Sequence, residues 1–254
     1  EHQPTEQWAE RALQDANPNT QVEALLALCR MTGICPQHRT DQSPPVNESI
    51  GRELIDALLA VNTDKLKPAQ QLTHLRTLQI TLIRFGRPED AIIAKLNQKL
   101  DPLFPADTFE ENWLLCETLA WLESSTVAAK TLTLIETSST QEEQLQYARS
   151  LRMLRAGWST ELRTRYFSWF LKAANYRGGA SFDIFLKFIR EDAVASLDSK
   201  SKTSLAAVLA KKPERKSVIE NLGEIFEGRE SQDWNLATLS DAAKSDLKSR
   251  DYEN

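Results

Sequence analysis

Apolar residues return at three- and four-residue steps in one segment after another, and this periodicity restricts the chain to helices. In Gln21–Met31 the apolar set is Val22, Leu25, Leu26, Leu28 and Cys29, one face of an amphipathic helix. The shorter Thr5–Leu13 before it carries Trp8, Ala9, Ala12 and Leu13 in the same spacing. Between them lies Asp15-Ala-Asn-Pro-Asn19, whose polar side chains bond their own backbone and whose proline cannot continue a helix, so it reads as a turn. A helix pair of this kind cannot bury its apolar face alone and has to stack on a neighbour.

The short helix, the Asn-Pro turn and "QVEALLALCRMTG" closed by Gly33 resemble a HEAT-type repeat hairpin. After a polar loop over 35–47, helices are expected at Ser49–Val61, Pro68–Phe85, Pro88–Leu100, Phe109–Glu123 and Val127–Thr137. They continue at Gln141–Leu154, Thr160–Ala174, Phe182–Ser196 and Ser199–Lys211. Thr108-x-x-Glu111, Thr140-x-x-Glu143 and Ser217-x-x-Glu220 fit the capping box, and Pro68 and Pro88 fit a first helical turn. Composition agrees: 8 glycines and 34 leucines in 254 residues disfavour glycine-rich nucleotide folds and turn-rich β sandwiches. The expected fold is all-α, stacked antiparallel helical hairpins in a HEAT-like α-solenoid. The expected division is a HEAT-like hairpin over 1–40, a helical array continuous with it over 41–212, and a mostly polar tail over 213–254 that packs through Trp234, Leu236 and Leu239.

Chemistry-bearing residues are sparse. His2, His38 and His74 lie far apart, without HExxH or zinc-finger spacing, and His74 falls inside an apolar helix. Cys29, Cys35 and Cys116 are too few for a disulfide framework. The first two are spaced to allow a local bridge, and Cys116 reads as core. P-loop, G-x-G-x-x-G and G-x-S-x-G sequences are absent. Carboxylate pairs such as Glu110/Glu111 and Glu142/Glu143 sit at helix starts, where they answer the macrodipole. No apolar run approaches the ~20 residues of a membrane span. With Glu1 in place of methionine, no leader of basic then apolar residues, and Arg250-Asp-Tyr-Glu-Asn254 at its end, the chain reads as a segment of something longer.

One stretch departs from this pattern. Arg149, Arg152, Arg155, Arg163, Arg165, Lys172 and Arg177 face a single acid, Glu161, giving residues 149–177 a local net charge of +6 in a chain whose net charge is −5. Trp158, Tyr166, Phe167, Trp169, Phe170 and Tyr176 are interleaved. Cationic and stacking side chains combined in this way can form a nucleic-acid groove, yet Phe167, Phe170 and Leu171 recur at core spacing and the chain as a whole is acidic. Docking, onto acidic neighbouring repeats or another domain, is the favoured reading, with nucleic-acid binding as the disfavoured one. Gly178 and Gly179 stand before a helix beside Arg177, a pattern that serves either anion binding at a helix N-terminus or a tight turn of positive-φ glycines capped by Ser181. The turn is favoured. The candidate surface is therefore Arg149, Arg152, Arg155, Arg163, Arg165, Arg177, Gly178 and Gly179, with no catalytic, cofactor or metal residue assigned.

Several segments carry a family resemblance: Leu75-Arg-Thr-Leu-Gln-Ile-Thr-Leu-Ile-Arg-Phe-Gly86, Leu103-Phe-Pro-Ala106, Glu142-Glu-Gln-Leu-Gln-Tyr-Ala148, Tyr166-Phe-Ser-Trp-Phe170, Tyr176-Arg-Gly-Gly-Ala-Ser-Phe182 and Ile189-Arg-Glu-Asp-Ala193. Over roughly residues 50–254 the chain resembles the helical region of large exported haem-binding proteins of the Planctomycetes–Verrucomicrobia type. In these a propeller similar to sugar dehydrogenases often precedes the helices, and a c-type haem domain marked by C-x-x-C-H follows them. Neither flank is present, so no haem ligand is carried over. The resemblance implies a scaffold in an exported or periplasmic redox protein, with the other domains or a redox protein as partners and haem bound outside this segment. The alternative it implies is a structural segment of a periplasmic sugar or alcohol dehydrogenase whose active site lies in another domain.

Overall fold

A computed structural model describes residues 4–214, 235–237 and 240. The chain divides into two units, 1–211 and 212–254, and the architecture below is that of the first. Its α-helices are α1 (Ala9–Gln14), α2 (Pro18–Thr32), α3 (Glu48–Ala60), α4 (Pro68–Phe85), α5 (Asp90–Leu100) and α6 (Phe109–Trp121). They continue as α7 (Val127–Thr137), α8 (Gln141–Leu151), α9 (Thr160–Ala173), α10 (Phe182–Ala195), α11 (Ser199–Ser204) and α12 (Ala206–Leu209). The described residues hold no strand.

Local signals set most of the helix ends. Asn17, Asn47, Thr108, Thr140, Ser159 and Asp198 each accept a backbone N–H of the first turn, at α2, α3, α6, α8, α9 and α11. Pro68 opens α4, where its missing N–H leaves no gap. At Thr108 the reciprocal half of the capping box takes another form: its hydroxyl donates to the Glu111 carboxylate at 2.9 Å. Ser217-x-x-Glu220, Trp234 and Leu239 lie outside the described residues. Leu236, expected to pack, is 87% exposed.

Several boundaries differ from the expected ones, and α2 begins at Pro18 rather than Gln21. Helix α5 starts at Asp90 rather than Pro88, because Gly86 turns the chain at φ +90° and Arg87 reaches out to the Trp121 carbonyl at 2.8 Å. Helix α8 stops at Leu151 because the next turn is held elsewhere: the Glu123 carboxylate accepts the Arg155 and Ala156 amides at 2.9 and 2.8 Å. The first helix is broken at Trp8 into a 3-10 turn (Thr5–Gln7) and α1. The last is broken at buried Leu205 into α11 and α12.

Packing follows chain order in a regular way. Helix α2 lies against α4, α4 against α6, α6 against α8 and α8 against α10. Among the other helices α1 meets α3 and α7 meets α9, while α1·α2, α2·α3, α3·α4, α5·α6, α6·α7, α7·α8 and α9·α10 are contacts between consecutive helices. A continuous apolar core runs through these layers from Val22, Leu25 and Leu28 through Leu54, Leu58, Leu78 and Leu96 to Leu115, Leu119, Leu151, Tyr166 and Phe170. Each fully buried side chain of this size contributes about 1.5–3 kcal/mol relative to exposure.

Two connections are interlocked by backbone shape. Glu123 closes α6 at φ +58°, a left-handed position where its own N–H bonds the Ala120 carbonyl and the Ser124 N–H reaches Leu119. Gly157, at φ +72°, lies so close to this turn that a Cβ would stand 2.2 Å from the Ser125 carbonyl oxygen. Gly157→Ala should therefore lower the unfolding free energy by about 3 kcal/mol or prevent folding, whereas Gly179→Ala, with open space around it, should change it by less than about 0.5 kcal/mol. Urea denaturation at pH 7 compares the two.

Candidate functional site

The arginines of 149–177 turn to neighbouring helices. Arg165 on α9 pairs bidentately with Glu136 of α7 at 2.9 and 2.7 Å. Arg152 reaches Asp192 of α10 at 3.0 Å and also bonds the Arg149 carbonyl at 2.8 Å. Arg149 approaches Glu117 of α6 at 3.4 Å. Arg163 donates to the Ser201 hydroxyl on α11, with Asp198 acting on its charge. Arg177 is held through its backbone. Of the set, Arg155 and Arg177 have exposed side chains and no ion pair among the described residues; only their backbone groups are engaged. The three arginines at steps of three do not form one helical stripe, because α8 ends at Leu151.

The aromatic side chains interleaved with them are core. Tyr166, Phe167, Trp169 and Phe170 are buried, and Tyr166 meets Phe167 and Phe170 edge-on at 5.5 and 5.2 Å. The Tyr166 hydroxyl donates to the Ala148 carbonyl at 2.7 Å, and burial raises its pKa far above the ordinary value.

The Tyr176–Phe182 connection is built differently from its sequence expectation. Gly178 and Gly179 do not adopt positive φ, since among the described residues Gly86 and Gly157 are the glycines that do, and Ser181 makes no side-chain cap. Gly178 is required for closeness instead: a Cβ there would stand 2.5 Å from Phe182. The first turn of α8 holds the loop in place. The Gln141 amide donates to the Arg177 carbonyl at 2.6 Å and accepts its N–H at 2.9 Å. Buried Gln144 donates to the Ser138 carbonyl at 2.9 Å while its carbonyl accepts Trp169 Nε1 at 3.1 Å and the Tyr176 hydroxyl.

The same device recurs. Asn19, at the start of α2, donates to the Lys65 carbonyl at 3.1 Å and accepts the Lys67 N–H at 2.9 Å. Asn112 in α6 pairs with both backbone groups of Ala106 at 2.9 and 2.7 Å. Side-chain amides, buried at Asn112 and Gln144 and half-exposed at Asn19 and Gln141, thus pin the connections between helices. Sequence reasoning missed them, although Gln144 and Asn112 stand in register with Tyr147, Ala148 and Leu151 and with Leu115, Cys116 and Leu119. A polar residue on an apolar register is the signal that could have found them.

Cations close two carbonyl ends. Lys99 donates to the Leu59 and Val61 carbonyls at the end of α3, and His74 Nε2, buried in α4, bonds the Leu58 carbonyl at 2.9 Å. Lys130 donates to the carbonyls of Asp101 and Phe104, both at 2.6 Å, while the Asp101 carboxylate accepts Ser124 and Thr126 hydroxyls. Burial holds His74 below its ordinary pKa; the Leu58 bond opposes this and Lys99 adds to it.

All three cysteines are free thiols, so Cys29 and Cys35 form no bridge. Cys29 accepts the Thr81 hydroxyl at 3.4 Å, and burial pushes the Cys116 thiol up to about 12. Where α8, α9 and α10 meet, Arg152, Trp158, Arg163, Tyr166 and Leu197 line a recess of about 10 Å³, room for a single water. Among the described residues no group of three or more His, Cys, Asp or Glu side chains is arranged to hold a metal ion, and no helix is long and apolar enough to cross a membrane. Comparisons with protein-family profiles, curated proteins and solved structures find no match for the chain.

Two predictions separate surface pairing from buried stitching. Arg165→Ala removes a half-exposed ion pair and should lower stability by less than about 1 kcal/mol. Gln144→Leu leaves Trp169 Nε1, the Tyr176 hydroxyl and the Ser138 carbonyl without their partner and should lower it by about 3 kcal/mol or more; thermal or urea unfolding of the two variants checks the ranking. His74 gives a pH dependence. Because its folded pKa lies below the ordinary 6.5, the unfolded chain takes up the proton first, so this stability is intact above pH 6.5 and declines as pH falls below it. In His74→Gln that component vanishes, and the stability gap between wild type and variant should narrow from pH 7 to pH 5.

Proposed function

We propose that this chain is a non-catalytic helical-repeat scaffold, a HEAT-like array of hairpins α1/α2 to α9/α10, that docks the other domains or a redox partner of an exported c-type-haem protein. The observation that carries the repeat reading is a recurrence: Asn19 at the start of α2 and Gln141 at the start of α8 each grip, with both amide atoms, the loop preceding the second helix of the following pair, before α4 and before α10. Quasi-equivalent bonds at quasi-equivalent places are what stacked repeats produce. The i to i+2 packing of α2, α4, α6, α8 and α10 supports the same reading.

The scaffold role is supported by where the polar groups go. Arg149, Arg152 and Arg165 pair with carboxylates of other helices, and amides and lysines close loops and helix ends. This also lessens the case for nucleic-acid binding, which needs those cations turned outward. Export, the haem-bearing partner and its redox setting rest on the sequence resemblance.

Two measurements test the proposal. Produced with cytochrome c maturation machinery, the longer polypeptide carrying this segment should stain for covalent haem and the 254-residue chain alone should not. Lack of haem in both would remove the electron-transfer part. Arg155→Glu should weaken association of the chain with the haem-bearing domain, read as co-elution of haem absorbance; unchanged co-elution would remove Arg155 from the docking surface, and turnover by the isolated chain would overturn the non-catalytic reading.

A further inference from the structure

Four large apolar side chains are exposed at one end of a row of helices. Met31, at the end of α2, is 61% exposed; Ile83, at the end of α4, 49%; Trp121, the last residue of α6, 41%; and Met153, just past α8, 56%. The ends that bear them are joined one to the next. Arg84 of α4 donates to the Arg30 and Gly33 carbonyls at the end of α2. Arg87, just past α4, donates to the Trp121 carbonyl and lies over its ring at 5.2 Å. Glu123, just past α6, holds the amides of Arg155 and Ala156, which follow α8. The helices therefore run in the same direction, and each contributes one exposed hydrophobe to a common C-terminal edge.

The cations of this edge differ from those of α9. Arg30, Arg84, Arg87 and Arg155 make no ion pair among the described residues; Arg84 and Arg87 bond carbonyls only. Each helix C-terminus carries about half a negative charge, so four ends sum to about −2 and the Glu123 carboxylate adds −1, against four guanidiniums without ion pairs. Exposed Glu89 and Asp90 are nearby in sequence, but they stand at the N-terminus of α5, whose positive end they answer. The helix-end row is left with cationic excess around its hydrophobes.

The geometry points to this edge as a docking rail for an extended acidic peptide segment with an apolar residue at every third position. The spacing follows from two dimensions. Packed helices stand about 8–10 Å apart and an extended chain rises about 3.3 Å per residue, so successive helices meet every third residue, with acidic residues between to face the arginines. This deepens the scaffold reading and rests on it.

The probe is a fluorescent twelve-residue peptide of four Leu-Glu-Asp repeats, titrated into the 254-residue chain by anisotropy, beside a peptide of the same composition with its leucines contiguous. The repeat peptide is expected to bind, to bind at least about tenfold tighter than its rearranged partner, and to weaken with added salt. Trp121→Ala with Met153→Ser, and separately Met31→Ser with Ile83→Ser, should each weaken binding at least about tenfold with the unfolding midpoint little changed, since all four side chains are exposed. Equal binding of the two peptides, no binding, or binding unaffected by both double variants would overturn the rail. Retention of the haem-bearing polypeptide by a chain that ignores the probe would sink the rail and leave the scaffold standing; retention of neither would sink both.

Discussion

A helix with apolar side chains on two flanks is stable only with a neighbour on each, and α2, α4, α6 and α8 are built this way. Helix α4 buries His74, Leu75, Thr77, Leu78, Gln79, Thr81 and Leu82, more of its circumference than one partner could cover, and it lies between α2, α3 and α6. From this requirement the rest follows. Helices that must stack closely bring their connecting loops together, and those loops carry backbone groups with no ladder to join. Side-chain amides and cations on the adjoining helix turns satisfy them, which is why Asn19, Asn112, Gln141, Lys99 and Lys130 are all directed at loop or helix-end carbonyls.

That logic explains what could be read from the chain and what could not. Helix positions were legible because their signals are local: the apolar period, Pro68 at a first turn, and Thr108, Thr140 and Asn17 as caps. The ends at Leu151 and before Asp90 were not, because they are decided by bonds from Arg155 to Glu123 and from Arg87 to the Trp121 carbonyl, which span 32 and 34 residues of chain. The cationic stretch was legible as unusual, but its partners were invisible, since Glu117, Glu136 and Asp192 are ordinary surface acids until folding brings them opposite Arg149, Arg165 and Arg152. Gly178 was read as a conformational residue when it is needed for the approach of Phe182. The exposed ends at Met31, Ile83, Trp121 and Met153 are unremarkable singly; only adjacent helix ends make them a row.

The functional reading follows the same division of roles. Polar groups cross between helices, Arg149, Arg152 and Arg165 to carboxylates of neighbouring helices and Asn19, Asn112 and Gln141 to connecting segments. At the ends of α2, α4, α6 and α8, Arg155 and four hydrophobes face solvent, and Ile184, Phe185 and Phe188 do so along α10. The proposed docking uses this repeated edge.

Hydrogen–deuterium exchange of the 254-residue chain, alone and with the proposed haem-bearing partner, tests the docking account most directly. The account predicts slowed exchange over residues 30–33, 83–87, 119–123 and 152–156 with the helix interiors unchanged. Exchange that is unaltered everywhere, or slowed only in regions away from those helix ends, would contradict it.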